Sequence, residues 1–311
     1  MPRSFNVEQF EKAKRKRTRL SALLIFILIP LTIIFGYFFL GDRKYILISI
    51  LILVYTMFPF FMVFEKRKPK AREIVMIGML SALTVCGNLL SVGVLPIQMG
   101  TAMVIISGIS FGPEAGFLVG ALARFISNFF QGQGPWTPWQ MFCWGLLGFL
   151  AGLVFNKVDL DKIKSRDFKV IMGPVICVIF SMIIAYISYL LFPGKDNTFF
   201  GWRLYIFGVA GLIAGVLLQH KRLPVDDLTL TVFTFFTVFI LYGGIMNICA
   251  MVTSAALPGK EISLDAMKLL YISGAPYDAV HAARAAICMF ILGDKMIRKL
   301  ERVKIKYGFY R

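Results

Sequence analysis

Asp278 and His281 stand three residues apart in the segment Pro276-Tyr-Asp-Ala-Val-His281, so a helix places both on one face, with Arg284 following shortly after. A carboxyl, an imidazole and a guanidinium are groups that move protons, hold polar ligands or bond neighbouring helices. Three readings stay open for this segment. It is an intramembrane enzyme centre built from Asp278, His281 and Arg284, or it supplies polar contacts to a ligand. Alternatively Asp278 caps a helix while His281 bonds an adjacent one. A second group is Gln131-Gly-Gln-Gly-Pro-Trp-Thr-Pro-Trp-Gln140, which holds three glutamines, two tryptophans, two glycines, two prolines and no charge. Carboxamides both donate and accept hydrogen bonds. Prolines stiffen a loop and lower the ordering cost of binding. Trp136 and Trp139 also fit an interfacial aromatic belt, but a belt alone needs no flanking glutamines and glycines.

Asn88, Gln98, Asn128 and Asn247 are amides at or near the same ends of apolar runs. Buried amides need partners. Bonds between helices satisfy any one of them; converging with the loop, they read as a site. The expected substrate-binding residues are therefore Asn88, Gln98, Asn128, Gln131, Gln133, Trp136, Thr137, Trp139, Gln140, Asn247, Asp278, His281 and Arg284. Arg124 also falls inside an apolar run, where a charge is costly and faces the bundle interior or a wet cavity. It either meets a ligand or pairs with Glu114, Asp278 or backbone carbonyls.

The chain contains no GxxxxGK[ST] loop, so it does not bind ATP in the P-loop manner, and no HExxH. No metal or cofactor is expected. His220 stands beside Lys221 and Arg222 and reads as solvated. Cys86, Cys143, Cys177, Cys249 and Cys288 have unrelated spacings and no CxxC pair, so they read as small buried hydrophobes.

The elements that carry these groups follow from hydropathy. The 311 residues are 58% hydrophobic, with mean hydropathy +0.75. Several runs reach the roughly 20 apolar residues that cross a bilayer. The fold class is an all-α polytopic membrane protein of about ten spans. They fall near 20–40, 44–64, 73–95, 99–112, 114–131, 138–156, 168–192, 201–219, 229–253 and 277–296. No cleavable signal peptide is expected, because the first apolar run is long and lacks a small-residue cleavage site. The net charge of +17 concentrates in the N-terminal arm, in 66–72, in 157–169 and in 295–311. That placement is a topology signal rather than a nucleic-acid footprint. It puts both termini in the cytoplasm of a multi-pass plasma-membrane protein and the 131–140 loop on the outer face. The basic C-terminal tail can also touch anionic lipid in the bilayer.

Residues 1–70 read as a basic arm and a transmembrane hairpin turning at Gly41-Asp-Arg-Lys44. Residues 71–311 read as a functional bundle richer in Gly, Ala and Ser, which let membrane helices approach closely. Gly112-Pro113-Glu114 is a tight turn, with proline at a first helical position and the glutamate at a positive helix end. Gly78 and Ala82 form a small-xxx-small groove for another helix. Trp139-x4-Trp144-Gly145-x2-Gly148-x2-Ala151-Gly152 recurs as Trp202-x4-Phe207-Gly208-x2-Gly211-x2-Ala214-Gly215. The recurrence is either a duplicated hairpin inserted at about 160–222 or two independent glycine-rich packing helices. The 254–275 segment reads as a lid.

Four stretches together resemble the substrate-specific S components of energy-coupling-factor (ECF) vitamin transporters: Phe111-Gly-Pro-Glu-Ala-Gly116, Gln131–Met141, Gly243-Gly-Ile-Met-Asn247, and Pro276–Ala282 with the basic tail around Leu300-Glu-Arg302. The resemblance covers about 72–308. It implies a six-helix bundle that takes a vitamin from outside. It further implies delivery inward with a transmembrane coupling protein and two ATP-binding subunits. The chain itself would then be no enzyme. Gly78 and Ala82 match the pattern with which such proteins meet the coupling protein, with glycine in place of the first alanine. The loop pattern looks most like the cobalamin-type members. The extra N-terminal hairpin and the 160–222 insertion depart from the family. A stand-alone permease is the remaining alternative.

Overall fold

Small residues decide where the helices meet. In this computed structural model the described residues are 19–36, 47–52, 54–55, 71–93, 97–155, 174–194, 199, 201–218, 225–254 and 263–307. Their regular elements are helices. In chain order these are α1 (Arg19–Phe35), α2 (Ala71–Gly93), α3 (Met99–Phe111), α4 (Pro113–Gln131), α5 (Thr137–Val154), α6 (Pro174–Leu191), α7 (Trp202–Leu218), α8 (Asp227–Ser254) and α9 (Leu264–Lys306). Segments of α2, α5 and α8 are long and apolar enough to cross a bilayer, and α1, α3, α6 and α7 contain shorter apolar helices. The protein is a multi-pass helical membrane protein. The Gly41–Lys44 turn and His220 lie outside the described residues.

The helices α3, α4 and α5 form the tightest crossing. A Cβ on Gly108 would fall 1.9 Å from the Gly148 carbonyl oxygen, and one on Gly148 would fall 2.4 Å from that of Gly116. A Cβ on Gly152 would fall 2.4 Å from the Pro113 nitrogen. Backbone therefore touches backbone over about two turns, from Trp144 to Gly152 on α5, which only glycine permits. The α3–α4 turn forms as expected: Gly112 adopts φ 98°, and Pro113 supplies the preset first residue of α4. Gly132, at φ 106°, ends α4 and launches the loop.

The recurring glycine pattern packs differently in its two copies. In α5 it faces α3 and α4. In α7, Gly208 faces Ile240 and Gly211 faces Cys177 and Ser181 of α6. The helices α6 and α7 thus lie against each other as a pair, and α7 reaches α8 through Gly208. On α1, Ile25, Ile29 and Ile33 share an apolar cluster with Phe117, Met141 and Phe149 of the α4–α5 pair. Helix α1 is thus packed against the α4–α5 pair.

Two elements differ from expectation. Residues 264–275 are not a separate lid. They are the first turns of α9, a continuous 43-residue helix capped by Ser263, whose Oγ accepts from Ala266 N at 3.1 Å. Pro276 lies inside it. Proline removes one backbone donor, but Tyr271 and Ala275 are buried just before it, so packing carries the helix through. Asp278 is therefore mid-helix and caps nothing. Second, Cys86 is exposed on α2 and Cys177 is half-buried, whereas Cys143, Cys249 and Cys288 are buried as expected.

Within α8, Val238–Gly243 is a π-helical segment. Such segments shift the register of a helix face and recur at functional sites. This one turns Tyr242 toward α9, where its ring lies edge-on to His281 at 4.5 Å.

Candidate functional site

Beneath the 131–140 loop, one cation is held by amides alone. Arg124 Nε donates to Gln140 Oε1 at 2.9 Å, and its Nη1 donates to Gln131 Oε1 at 3.1 Å. The guanidinium lies 5.0 Å from the Trp144 ring centre, a cation–π distance. Gln131 Oε1 also accepts from Asn88 Nδ2 at 3.2 Å, which ties α2 to the end of α4. Asn128 Nδ2 donates to Gln140 Oε1 at 2.8 Å and to Thr137 Oγ1 at 3.0 Å. Thr137 Oγ1 accepts from Gly134 N at 3.1 Å, which fixes the loop as α5 begins. Gly100 makes room from the α3 side, because a Cβ there would fall 2.9 Å from both Asn88 and Trp144. Asn88, Asn128 and Trp144 are 1–3% exposed, so this polar cluster is embedded in the bundle.

A second cluster lies between α7, α8 and α9. Tyr205 Oη donates to Asp278 Oδ2, and Asn247 Nδ2 donates to the same oxygen at 2.9 Å. Glycines open this space too: a Cβ on Gly243 would fall 2.5 Å from the Asp278 carboxyl, and one on Gly274 would fall 2.4 Å from Asn247 Oδ1. Tyr271 packs on Tyr205 with ring centres 4.6 Å apart and donates to Gly244 O at 2.9 Å. His281 bridges toward the first cluster. It lies 3.4 Å from Thr101 Oγ1 on α3 and against Tyr242, which also borders the apolar group around Trp144. Arg284 Nη2 donates to Ser91 O at 3.0 Å, and Gln98 N donates to Arg284 O at 3.3 Å, so α9 bonds the last turn of α2 and the residue before α3.

The structure thus gathers Asn88, Asn128, Gln131, Thr137 and Gln140 into one network, and Asn247 and Asp278 into another. His281 stands between them. Gln98 and Arg284 bond each other through their main chains. The loop itself is only 132–136, since Gln131 ends α4 and Thr137 begins α5, and the remaining residues of the 131–140 stretch face elsewhere. Gln133 Nε2 donates to Phe125 O at 3.1 Å. Trp136 is exposed, with its ring against Gly134. Trp139 packs with the apolar cluster that includes α1. Arg124 does not pair with Glu114, Asp278 or a backbone carbonyl, because the amides of Gln131 and Gln140 reach it first. Asp278 and His281 share a helix face but bond different helices, an arrangement unlike a proton-transfer pair.

Trp144, Tyr205, Tyr242 and Thr101 were not among the expected site residues. Aromatic residues inside apolar runs look like core in a sequence. The one available signal was the phenol of Tyr205, whose hydroxyl needs a partner wherever it is buried. Tyr205→Phe is expected to lower stability by about 1.5 kcal/mol, the scale of a hydrogen bond to a carboxyl partner. The measurement is thermal unfolding of the detergent-purified protein, and an unchanged melting temperature contradicts the assignment.

The structure is thus a glycine-packed bundle of apolar helices that gathers neutral amides and one arginine under a loop. Residues 68–200, which include the first polar network, match the family model described as ECF-type riboflavin transporter, S component. That description is of a transport subunit, not an enzyme, and it does not support the cobalamin type expected from the loop. The chain is also similar to UPF0397 proteins. It is 30% identical to one from Vibrio atlanticus over 108 residues, 32% of this chain and 58% of that protein. It is 34% identical to one from Streptococcus gordonii over 95 residues, 30% of this chain and 47% of that protein. The chain spans about half the length of the curated relatives it matches. No solved structure matches.

Proposed function

We propose that this chain is the substrate-binding S component of an ECF-type vitamin uptake transporter. It captures a vitamin-sized molecule at the 131–140 end of the bundle and delivers it inward with a coupling protein and two ATP-binding subunits. The observation that carries this reading is the embedded network of Asn88, Arg124, Asn128, Gln131 and Gln140, which lies within the segment matching S components. Riboflavin, named in the matching description, is the first ligand to test; the cobalamin reading has only the loop pattern behind it. Under this reading the loop faces outward and both termini face the cytoplasm, as the basic segments require. The protein in nanodiscs is expected to bind one vitamin saturably without ATP and to hydrolyse none. Absence of binding across a vitamin panel sinks the proposal.

Gly78 and Ala82 both lie exposed on α2, and nothing lies within 4 Å of a Cβ placed on Gly78. The surrounding face, with Val75 and Met79 also exposed, suits close approach by a helix of the coupling protein. Gly78→Leu meets no internal clash, so ligand binding is expected to stay within about twofold. Association with the coupling protein is expected to fall at least about tenfold, because the added side chain blocks helix contact. Loss of ligand binding with intact association would reverse this assignment.

A further inference from the structure

We infer that the ligand of this site carries an anionic oxygen group, a carboxylate or a phosphate, which docks on Arg124. The inference rests on the binding reading above and goes beyond it, since nothing in the family description sets the ligand's charge at this residue.

Arginine stays charged in proteins, and a charge inside a bundle is normally paired. Arg124 is not. Its hydrogen bonds go to two neutral carboxamide oxygens, on Gln131 and Gln140, and its face lies against Trp144. Among the described residues no Asp or Glu lies within ion-pairing distance of it, although ion pairs form elsewhere, as at Arg298–Asp294 and Lys304–Glu301. Nη2 of Arg124 makes no hydrogen bond within the described protein. The protein supplies solvation for this cation but no counter-charge.

The atoms around it are also unfinished. Gln131 Nε2, Trp144 Nε1 and Asn128 Oδ1 are buried with no hydrogen-bond partner. Gln131 Nε2 and Trp144 Nε1 are donors, and with Arg124 Nη2 they make three unused donors against one unused acceptor. Buried polar groups are rarely left unsatisfied, and each calls for an explanation. A group rich in acceptors and bearing negative charge answers the cation and the three donors, while Asn128 Oδ1 calls for a donor elsewhere on the ligand. The planar guanidinium fork matches both carboxylate and phosphate oxygens, and such charge-assisted pairs are the strong ones. A neutral ligand would fill the acceptor roles and leave the cation uncompensated.

The test uses the full chain in phosphatidylcholine nanodiscs, free of anionic lipid. It is titrated with matched pairs: riboflavin 5′-phosphate against riboflavin, pantothenate against panthenol, nicotinate against nicotinamide. The anionic member of one pair is expected to bind at least about 100-fold more tightly than its neutral counterpart. The phosphate and carboxylate arms tell which anion it is. Arg124→Gln is expected to erase that preference, and Arg124→Lys to retain part of it, because the charge stays while the fork is lost. Comparing ligands on the wild-type protein needs no variant, so a poorly folding substitution leaves the test intact. Tight binding of a neutral vitamin that is unchanged by Arg124→Lys or Arg124→Gln overturns the inference and leaves the binding reading standing. No binding by any member defeats that reading and the inference with it.

Discussion

Gly148→Leu is expected to prevent the bundle from assembling. The Gly148 carbonyl lies where a Cβ on Gly108 or Gly116 would collide, at 1.9 and 2.6 Å, and a Cβ on Gly148 itself would meet the Gly116 backbone. The obstacle in each case is main chain, which cannot rotate aside as a side chain can. To admit even one carbon, α4 and α5 must separate along their whole contact, and α3 with them. Overpacking a well-filled core typically costs 1–3 kcal/mol; with rigid backbone on both sides the cost here is expected to exceed about 3 kcal/mol. That is a large share of the roughly 5–15 kcal/mol that holds a typical domain folded. The measurement is the yield and monodispersity of detergent-extracted protein, with Gly78→Leu as the matched control on an open helix face. Normal yield and melting temperature for Gly148→Leu would show that the three-helix crossing is looser than described.

Gln140→Leu is expected to disable the site while the fold survives. The carboxamide oxygen of Gln140 accepts from both Arg124 Nε and Asn128 Nδ2, so it is the acceptor that orients the cation and the amide together. Leucine preserves the volume and removes that acceptor. Two buried donors then lose a partner, at about 1–3 kcal/mol for each group left unsatisfied. Asn128 keeps Thr137, and Arg124 keeps Gln131, so part of the network persists. Ligand affinity is expected to fall about 100-fold, equivalent to roughly 2.7 kcal/mol. Trp136→Ala is the informative contrast: the Trp136 side chain is 42% exposed and makes no hydrogen bond to the network, so its loss should matter far less. Equal losses from the two substitutions would move the site out of the bundle and onto the loop surface.

Much of this arrangement is legible in the sequence, for identifiable reasons. The apolar runs mark the helices, and those of α2, α5 and α8 are long enough to cover a bilayer's width. Gly112-Pro113 marks the α3–α4 turn because glycine takes a positive φ and proline presets the next helix. The uncharged loop pointed to Asn128, Gln131 and Gln140 because amides among apolar helices must find partners. Pairing was less legible. Arg124 could be placed at depth, but its partners come from α4 and α5 brought together by the glycine crossing, a contact no local pattern announces. The π-helical turn that sets Tyr242 against His281 has no sequence signature of its own, and Trp144 reads as one more apolar residue until its burial is seen. Pro276 misled in the opposite direction: it suggested a helix start, whereas Ser263 begins α9 and buried Tyr271 and Ala275 hold it through the proline.

On the proposed reading, the amide-and-arginine network under the 131–140 stretch holds a vitamin-class ligand. Native mass spectrometry of the intact protein, purified from cells grown in vitamin-rich medium, tests it most directly. The wild-type spectrum is expected to show one small molecule bound at a one-to-one ratio, and the Gln140→Leu spectrum is expected to show the protein bare. A bare wild-type protein that also takes up no vitamin on titration, or a ligand equally retained by Gln140→Leu, would contradict the account.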